Sequence, residues 1–358
     1  MPLSSVTRKE TALLLTENNK RLLIGAALIA LATALLIGPR LIRYLKKLHF
    51  GQTIYELGPS HQQKQGTPVM GGLMMAAGIL LASLICHPAI WDGAWDFVIP
   101  LLAVSFLSMA VGFADDYIKA VKKRHNGLSP WQKIAGQVIV SLGFSLYCYF
   151  SPRVGSAIRI PFIGTEWDLG IFYIPVMTLL VIFIVNSSNL QDGLDGLLGT
   201  VTAVSSSAWT AICLVIVTVA QVTGTGDYAR GTSTIGVFAA SMMGACIGFL
   251  RFNRYPAKTF MGDTGSMLLG GGTVAIALLL RQPLLLLLIF FTPIMSSVSV
   301  IMQRYYFKLT HGKRIFLMSP IHHHFEKKGY SETQIVSMYA GITLLLSLIA
   351  VIGVCVAF

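Results

Sequence analysis

Five short stretches gather the residue types in this chain that could do chemistry. They are Lys64-Gln-Gly-Thr67-Pro-Val-Met-Gly-Gly72, Gly112-Phe-Ala-Asp115-Asp116-Tyr, Asn186-Ser-Ser-Asn189-Leu-Gln-Asp192-Gly-Leu-Asp195-Gly, Asn253-Arg-Tyr-Pro-Ala-Lys258-Thr-Phe260-Met-Gly-Asp263-Thr-Gly-Ser266 and Ser319-Pro-Ile-His322-His323-His324-Phe-Glu326. Asp115 and Asp116 close an apolar run, where a helix C-terminus repels negative charge, so a purely structural role is hard to defend. Neighbours on a helix point about 100° apart and cannot share one role; the competing reading is a pair of solvated end-caps near Lys119. Asp192 and Asp195 are three apart and share a face if a helix has begun there. Capping alone would also place acids there, but Asn189 raises the polar density beyond what capping needs. Asp263 is either an N-cap or a carboxylate beside free N–H groups, where flanking glycines let a phosphate come close. Thr67-Pro68 reads as an N-cap and a first-turn proline, with Lys64 three residues earlier placed to meet an anion. His322, His323 and His324 raise the question of zinc. Consecutive histidines diverge on a helix and no cysteine lies near, so hydrogen bonds to a phosphate or sugar fit better.

The elements that must position these residues are membrane spans. Of 358 residues, 54% are apolar and 12% charged, against about a quarter charged in an ordinary soluble domain. Apolar runs long enough to cross a bilayer recur throughout. The expected fold is an all-α integral membrane protein, residues 1–358 forming one polytopic domain. About ten spans are expected, at 22–44, 70–86, 97–114, 131–150, 171–188, 196–221, 234–250, 265–281, 283–305 and 335–358. The loop 151–170 has short extended runs around Gly164 and reads as a small extracytoplasmic β-hairpin. The five cysteines lie in or beside apolar runs and read as buried free thiols. The first apolar run lacks a small-residue cleavage site and reads as a span.

Nineteen of the 27 Lys and Arg residues fall in loops after odd-numbered spans or at the span ends that border them. By the positive-inside rule those loops are cytoplasmic and both termini lie outside, although Arg8, Lys9, Lys20 and Arg21 pull the other way. All five clusters then meet the cytoplasmic face. Spans 2, 6 and 8 aim their positive helix ends at it. The net charge of +12 sits in short loops, which argues for an acidic substrate or membrane surface and against nucleic acid. Acidic residues would repel a polyanion unless a cation mediates, and hard oxygen ligands with phosphate point to Mg²⁺. Key polar groups at one face, not at the bilayer midplane, disfavour an anion transporter.

Together the five clusters resemble the polyprenyl-phosphate N-acetylhexosamine-1-phosphate transferase superfamily. The Asp-Asp pair and Asn-Leu-x-Asp-Gly-x-Asp-Gly are superfamily signals. Thr-Pro-x-Met-Gly-Gly, Phe-Met-Gly-Asp-Thr-Gly-Ser and Ser-Pro-Ile-His-His-His-Phe-Glu resemble its phospho-N-acetylmuramoyl-pentapeptide branch. The resemblance implies transfer from UDP-N-acetylmuramoyl-pentapeptide to undecaprenyl phosphate, giving lipid I and UMP, with Mg²⁺, in peptidoglycan synthesis at a bacterial inner membrane. A sister transferase moving GlcNAc-1-phosphate is the alternative, against which the triple histidine argues. Under this reading Asp263 is the main metal ligand, with Asp115 and Asp116 as further candidates. Asp115 orients the acceptor or takes its remaining proton. Lys64, Thr67, Lys119, Lys133 and His322 help bring two polyanions together. Asn189, Asp192, Asp195, Asn253 and Phe260 hold the uridine end, Phe260 by stacking. Arg304 and Lys308, in Gln303-Arg304-Tyr-Tyr-Phe-Lys308, are either an interfacial belt or the seat of the lipid acceptor. The sequence also allows a homodimer.

Overall fold

The computed structural model describes residues 5–48, 66–87, 95–121, 127–223 and 225–357. The helices are α1 (Ser5–Lys47), α2 (Gly72–Ile85), α3 (Val98–Val121), α4 (Pro130–Phe150), α5 (Tyr173–Gln191), α6 (Leu197–Thr223) and α7 (Gly226–Asn253). They continue with α8 (Gly262–Leu279), α9 (Leu286–Ile289), α10 (Phe291–Leu309), α11 (Ile321–Lys327) and α12 (Glu332–Ala357). Among the described residues, eight helices are long and apolar enough to cross a membrane, and a bent pair makes a ninth if its two parts form one span. The expected second span is a helix of 14 residues, short of the roughly 20 that a perpendicular crossing needs.

One helix organises the rest. Every residue of α8 from Thr264 to Leu279 is buried. Its glycines let three neighbours approach at backbone distance and a fourth through its side chains. A Cβ on Gly265 would lie 2.9 Å from Cα of Gly72 on α2, and one on Gly270 would lie 2.9 Å from Cα of Val185 on α5. Gly271 faces Ser108 and Val104 of α3, and Gly272 faces Met242 of α7. Between apolar helices in lipid, such close approach supplies the dispersion contact that hydrophobicity cannot. The other sides of α1 and α12 keep large apolar residues exposed, among them Leu28, Leu36, Leu345 and Ile352, as lipid-facing helices must.

At one end of the bundle, strands β1 (Ala157–Arg159) and β2 (Glu166–Asp168) pair antiparallel, with Ile158 opposite Trp167. The hairpin read from the sequence is therefore present. Arg281, just past the end of α8, fastens it: its guanidinium donates to the Ala157 carbonyl at 3.0 Å and to Glu166 at 2.8 Å.

Several local expectations need correction. The third span does not stop at residue 114. Helix α3 runs on to Val121, so Asp115 and Asp116 lie inside its last two turns. Thr67 and Pro68 do not start the second span. Helix α2 begins at Gly72, because the preceding chain pairs instead with residues 259–261: Phe260 N donates to the Pro68 carbonyl at 2.9 Å, and Gly71 N to the Phe260 carbonyl at 2.8 Å. Asp192 and Asp195 lie on no helix; they occupy the turn between α5 and α6. The ninth span is broken, with its two parts at 87°. Pro293 has no N–H for the carbonyl of Ile289 four residues earlier, and the Ser205 hydroxyl of α6 donates to that carbonyl at 2.8 Å instead. Four cysteines are buried as free thiols, but Cys355 is exposed.

Candidate active site

The site is built where the C-terminal end of α3 meets the N-terminal end of α8. Gly112 lets them touch: a Cβ there would lie 2.2 Å from the Asp263 carbonyl oxygen. One turn on, the Asp116 carboxylate reaches the unpaired donors that open α8. It accepts from Asp263 N at 3.2 Å, Thr264 N at 2.9 Å and the Thr264 hydroxyl at 2.7 Å. Asp116 therefore caps a helix other than its own. The positive end of α8 offsets the unfavourable end of α3 that surrounds it. Asp263 is then not a cap. Its side chain is free of its own helix and points at cations and amides.

Those partners come from two further helices. Helix α4 starts with a capping box: the Ser129 hydroxyl accepts from Gln132 N, and the Gln132 side chain accepts from Ser129 N, with Pro130 in the first turn. This fixed start places Lys133, whose ammonium is 2.7 Å from Asp263 Oδ2. From α5, Asn189 donates to Asp263 Oδ1 at 2.7 Å and to the Ser266 hydroxyl at 2.9 Å. Lys119 lies 2.5 Å from Asp115 Oδ2 and 3.6 Å from Asp263 Oδ2, while Leu128 N donates to Asp115 Oδ1 at 2.8 Å. Asp115, Asp116 and Asp263 each offer one oxygen within 4.8 Å of the others. An all-oxygen cluster of this kind can hold a hard divalent cation.

The other expected uridine residues sit beside this cluster but spend their polar groups differently. Asp195 accepts from Ala257 N at 2.9 Å, and its own N–H donates to Glu332 at 3.0 Å. Asn253 is buried, accepting from Gly196 N and donating to the Thr259 carbonyl. Both side chains lock the 192–196 turn onto the 253–260 segment. Asp192 is half-buried, and no hydrogen bond engages its carboxylate among the described residues. Burial, then the charges of Asp263, Asp116 and Asp195, push its carboxyl well above the usual carboxylate range. Phe260 is half-buried, on the segment that Asp195 and Asn253 tie to the turn carrying Asp192.

The three histidines diverge on α11 as expected. His322 is fully buried, and neither ring nitrogen has a hydrogen-bond partner among the described residues. Burial, reinforced by His323, holds it well below the ordinary histidine range. This direction disfavours the cationic form, so any contact of His322 with a polyanion would be a hydrogen bond more than a charge attraction. It packs on the 192–196 turn, where a Cβ on Gly193 would come within 2.4 Å of His322 Nε2. His324 Nδ1 accepts from Leu317 N at 3.1 Å. Arg304 and Lys308 are exposed on the last turns of α10, and no contact among the described residues links them to the acids. Lys64 lies outside the described residues.

Sequence reasoning missed Thr264, Glu326 and Glu332. Thr264 and Glu326 stood inside quoted motifs but were passed over as flanks. Glu332 carried no local signal, since only the fold brings α12 to the 195 turn.

Residues 98–281 match a family described as glycosyl transferase family 4. Curated relatives include the phospho-N-acetylmuramoyl-pentapeptide-transferase of Heliobacterium modesticaldum, 41% identical over 92% of this chain and 97% of its own. The enzyme of the same name from Clostridium novyi is 40% identical over 92% and 95%, and that of Clostridioides difficile 40% over 92% and 96%.

Proposed function

The chain belongs to the phospho-N-acetylmuramoyl-pentapeptide-transferase family, and from that membership we propose that it transfers phospho-N-acetylmuramoyl-pentapeptide from its UDP-linked form to undecaprenyl phosphate. The products are lipid I and UMP, and the reaction is a membrane step of peptidoglycan synthesis. The observation that carries the reading is the meeting of Asp115, Asp116 and Asp263 with Lys119 and Lys133 at the start of α8. That one place combines acids, ammonium groups and helix N–H donors, which two phosphorylated substrates require.

Asp263 and Asp115 suit Mg²⁺, which when bound neutralises diphosphate charge. Lys133 and Lys119 draw the phosphates to the mouth of α8. Asp116 keeps that mouth in place. Asp192 and Phe260 flank the nucleoside end of the donor. We place the site at the cytoplasmic face of the inner membrane, a sidedness that the positive-inside count supports.

Direct attack of the lipid phosphate on the β-phosphate of the donor is the favoured route. A phosphate monoester is largely dianionic at neutral pH, with a second pKa near 6, so it needs little base catalysis. The carboxylates of Asp115 and Asp116 are already engaged by Lys119 and Leu128, and by the start of α8, which disfavours either as a nucleophile. With purified protein, UMP should appear only when both substrates and Mg²⁺ are present, with inversion at a chiral β-phosphorus. Stoichiometric UMP without lipid, or retention, would replace direct transfer by a covalent route. No UMP with any acceptor would overturn the function.

We further propose that Arg304 and Lys308, exposed on a helix end rich in Tyr and Phe, seat the phosphate of the lipid. Charge-removing changes at both should raise the KM for undecaprenyl phosphate several-fold and leave that for the nucleotide unchanged. An effect confined to the nucleotide would refute the assignment.

A further inference from the structure

The three adjacent imidazoles of α11 have three different surroundings, and among the described residues His323 is the one paired with a carboxylate. His322 is enclosed and unpartnered among the described residues. His324 is committed through Nδ1 to Leu317 N, with its ring against Phe316. His323 Nδ1 lies 2.9 Å from Glu326 Oε2. Their spacing of three residues puts both on one helix face, and both side chains remain partly accessible, at 14% and 19%.

A neutral imidazole has one donor and one acceptor nitrogen, and the partner of one decides the other. A carboxylate only accepts, so Glu326 selects the tautomer with the proton on Nδ1. Nε2 is then an acceptor. Its direction is set by the fold: a Cβ on Gly193 would lie 3.2 Å from His323 Nε2. The imidazole therefore looks onto the Asp192–Gly193 turn, beside the one acid of that turn whose carboxylate has no described hydrogen bond. Packing holds it there, since the His322 ring lies behind it with centroids 4.4 Å apart, and Phe325 rests on Tyr330.

We infer that Glu326 is a positioning residue, whose carboxylate fixes His323 so that Nε2 accepts a hydrogen bond from a hydroxyl or amide group of the bound nucleotide-sugar. This rests on the transferase reading above and adds to it a division of labour among the histidines. His322 packs, His324 braces the preceding loop, and His323 alone meets substrate.

The test is a double-mutant cycle on the full-length purified protein with Mg²⁺, UDP-N-acetylmuramoyl-pentapeptide and undecaprenyl phosphate. Glu326→Ala should lower kcat/KM for the nucleotide about ten- to a hundredfold, the usual cost of losing a group that orients a histidine ligand. Glu326→Gln, which keeps an acceptor oxygen and the side-chain shape, should lose less. In a His323→Ala background, Glu326→Ala should change kcat/KM less than about twofold, because its effect acts through the missing ring. A residue that merely holds α11 in place would cost as much in that background as in the wild type, and that result would overturn the inference. So would full activity of Glu326→Ala beside an active wild type. An inactive wild type would instead overturn the transferase reading, and this inference with it.

Discussion

Replacing Asp263 with asparagine should abolish transfer while the protein stays folded. The carboxylate sits at the mouth of the central helix, within reach of Lys133, Lys119 and Asn189. It also belongs to the one acid cluster among the described residues with metal-ligand spacing. If Asp263 holds Mg²⁺ as proposed, its loss removes several kcal/mol of charge stabilisation, and at about 1.4 kcal/mol per tenfold this is on the order of a thousandfold in rate. The fold should survive because the start of α8 is fastened by Asp116 through the backbone of residues 263 and 264, which the substitution leaves alone. Turnover and a thermal melt on the same preparation check both halves. Near-normal activity at saturating Mg²⁺ would remove Asp263 from the metal centre.

The next largest effect is expected from a position with no chemistry. Gly112→Val should cripple both stability and transfer. The atoms in its way are backbone: the carbonyl carbon of Asp263 at 2.5 Å and Thr264 N at 2.9 Å from the first added carbon. No rotamer change relieves that, so α3 and α8 must separate, and the Asp116 cap four residues along separates with them. Overpacking of this kind costs about 1–3 kcal/mol, and displacing a reacting group by about 1 Å can cost a hundredfold in rate. Gly143→Ala is the control, because nothing lies within 4 Å of its added carbon. A melt and a rate indistinguishable from those of Gly143→Ala would show that the contact is not needed.

These two positions mark what could be read in advance. Asp263 was legible because its setting is local: a glycine-flanked acid at a helix start says what it can do. The gathering of polar clusters at one surface was legible too, because span order and charge bias decide it, and the hairpin because its turn chemistry is in the chain. Gly112 was opaque, since its importance lies in a neighbour about 150 residues away. The same holds for Asp116: helix geometry already denied it the role of Asp115, but did not say what its own role was. Only the packing of α3 on α8 reveals that it reaches another helix's donors. Asp192 and Asp195 were left open for a different reason: spacing of three fits a helix face, but a turn with two glycines accommodates it as well. The break in the ninth span had a visible sign in Pro293, which the strength of the apolar run around it concealed.

That break bears on how the chain becomes a membrane protein. The carbonyl of Ile289 cannot be left bare in hydrocarbon, where an unsatisfied backbone group costs several kcal/mol. Its partner is a hydroxyl on α6, a helix that precedes it in the chain. During N-to-C synthesis α6 is therefore made before the segment that depends on it, and the bend can form against a helix that already carries the donor for its carbonyl. A permuted chain in which residues 283–309 emerged before α6 would have to carry that bare carbonyl, or stay straight, until its donor arrived.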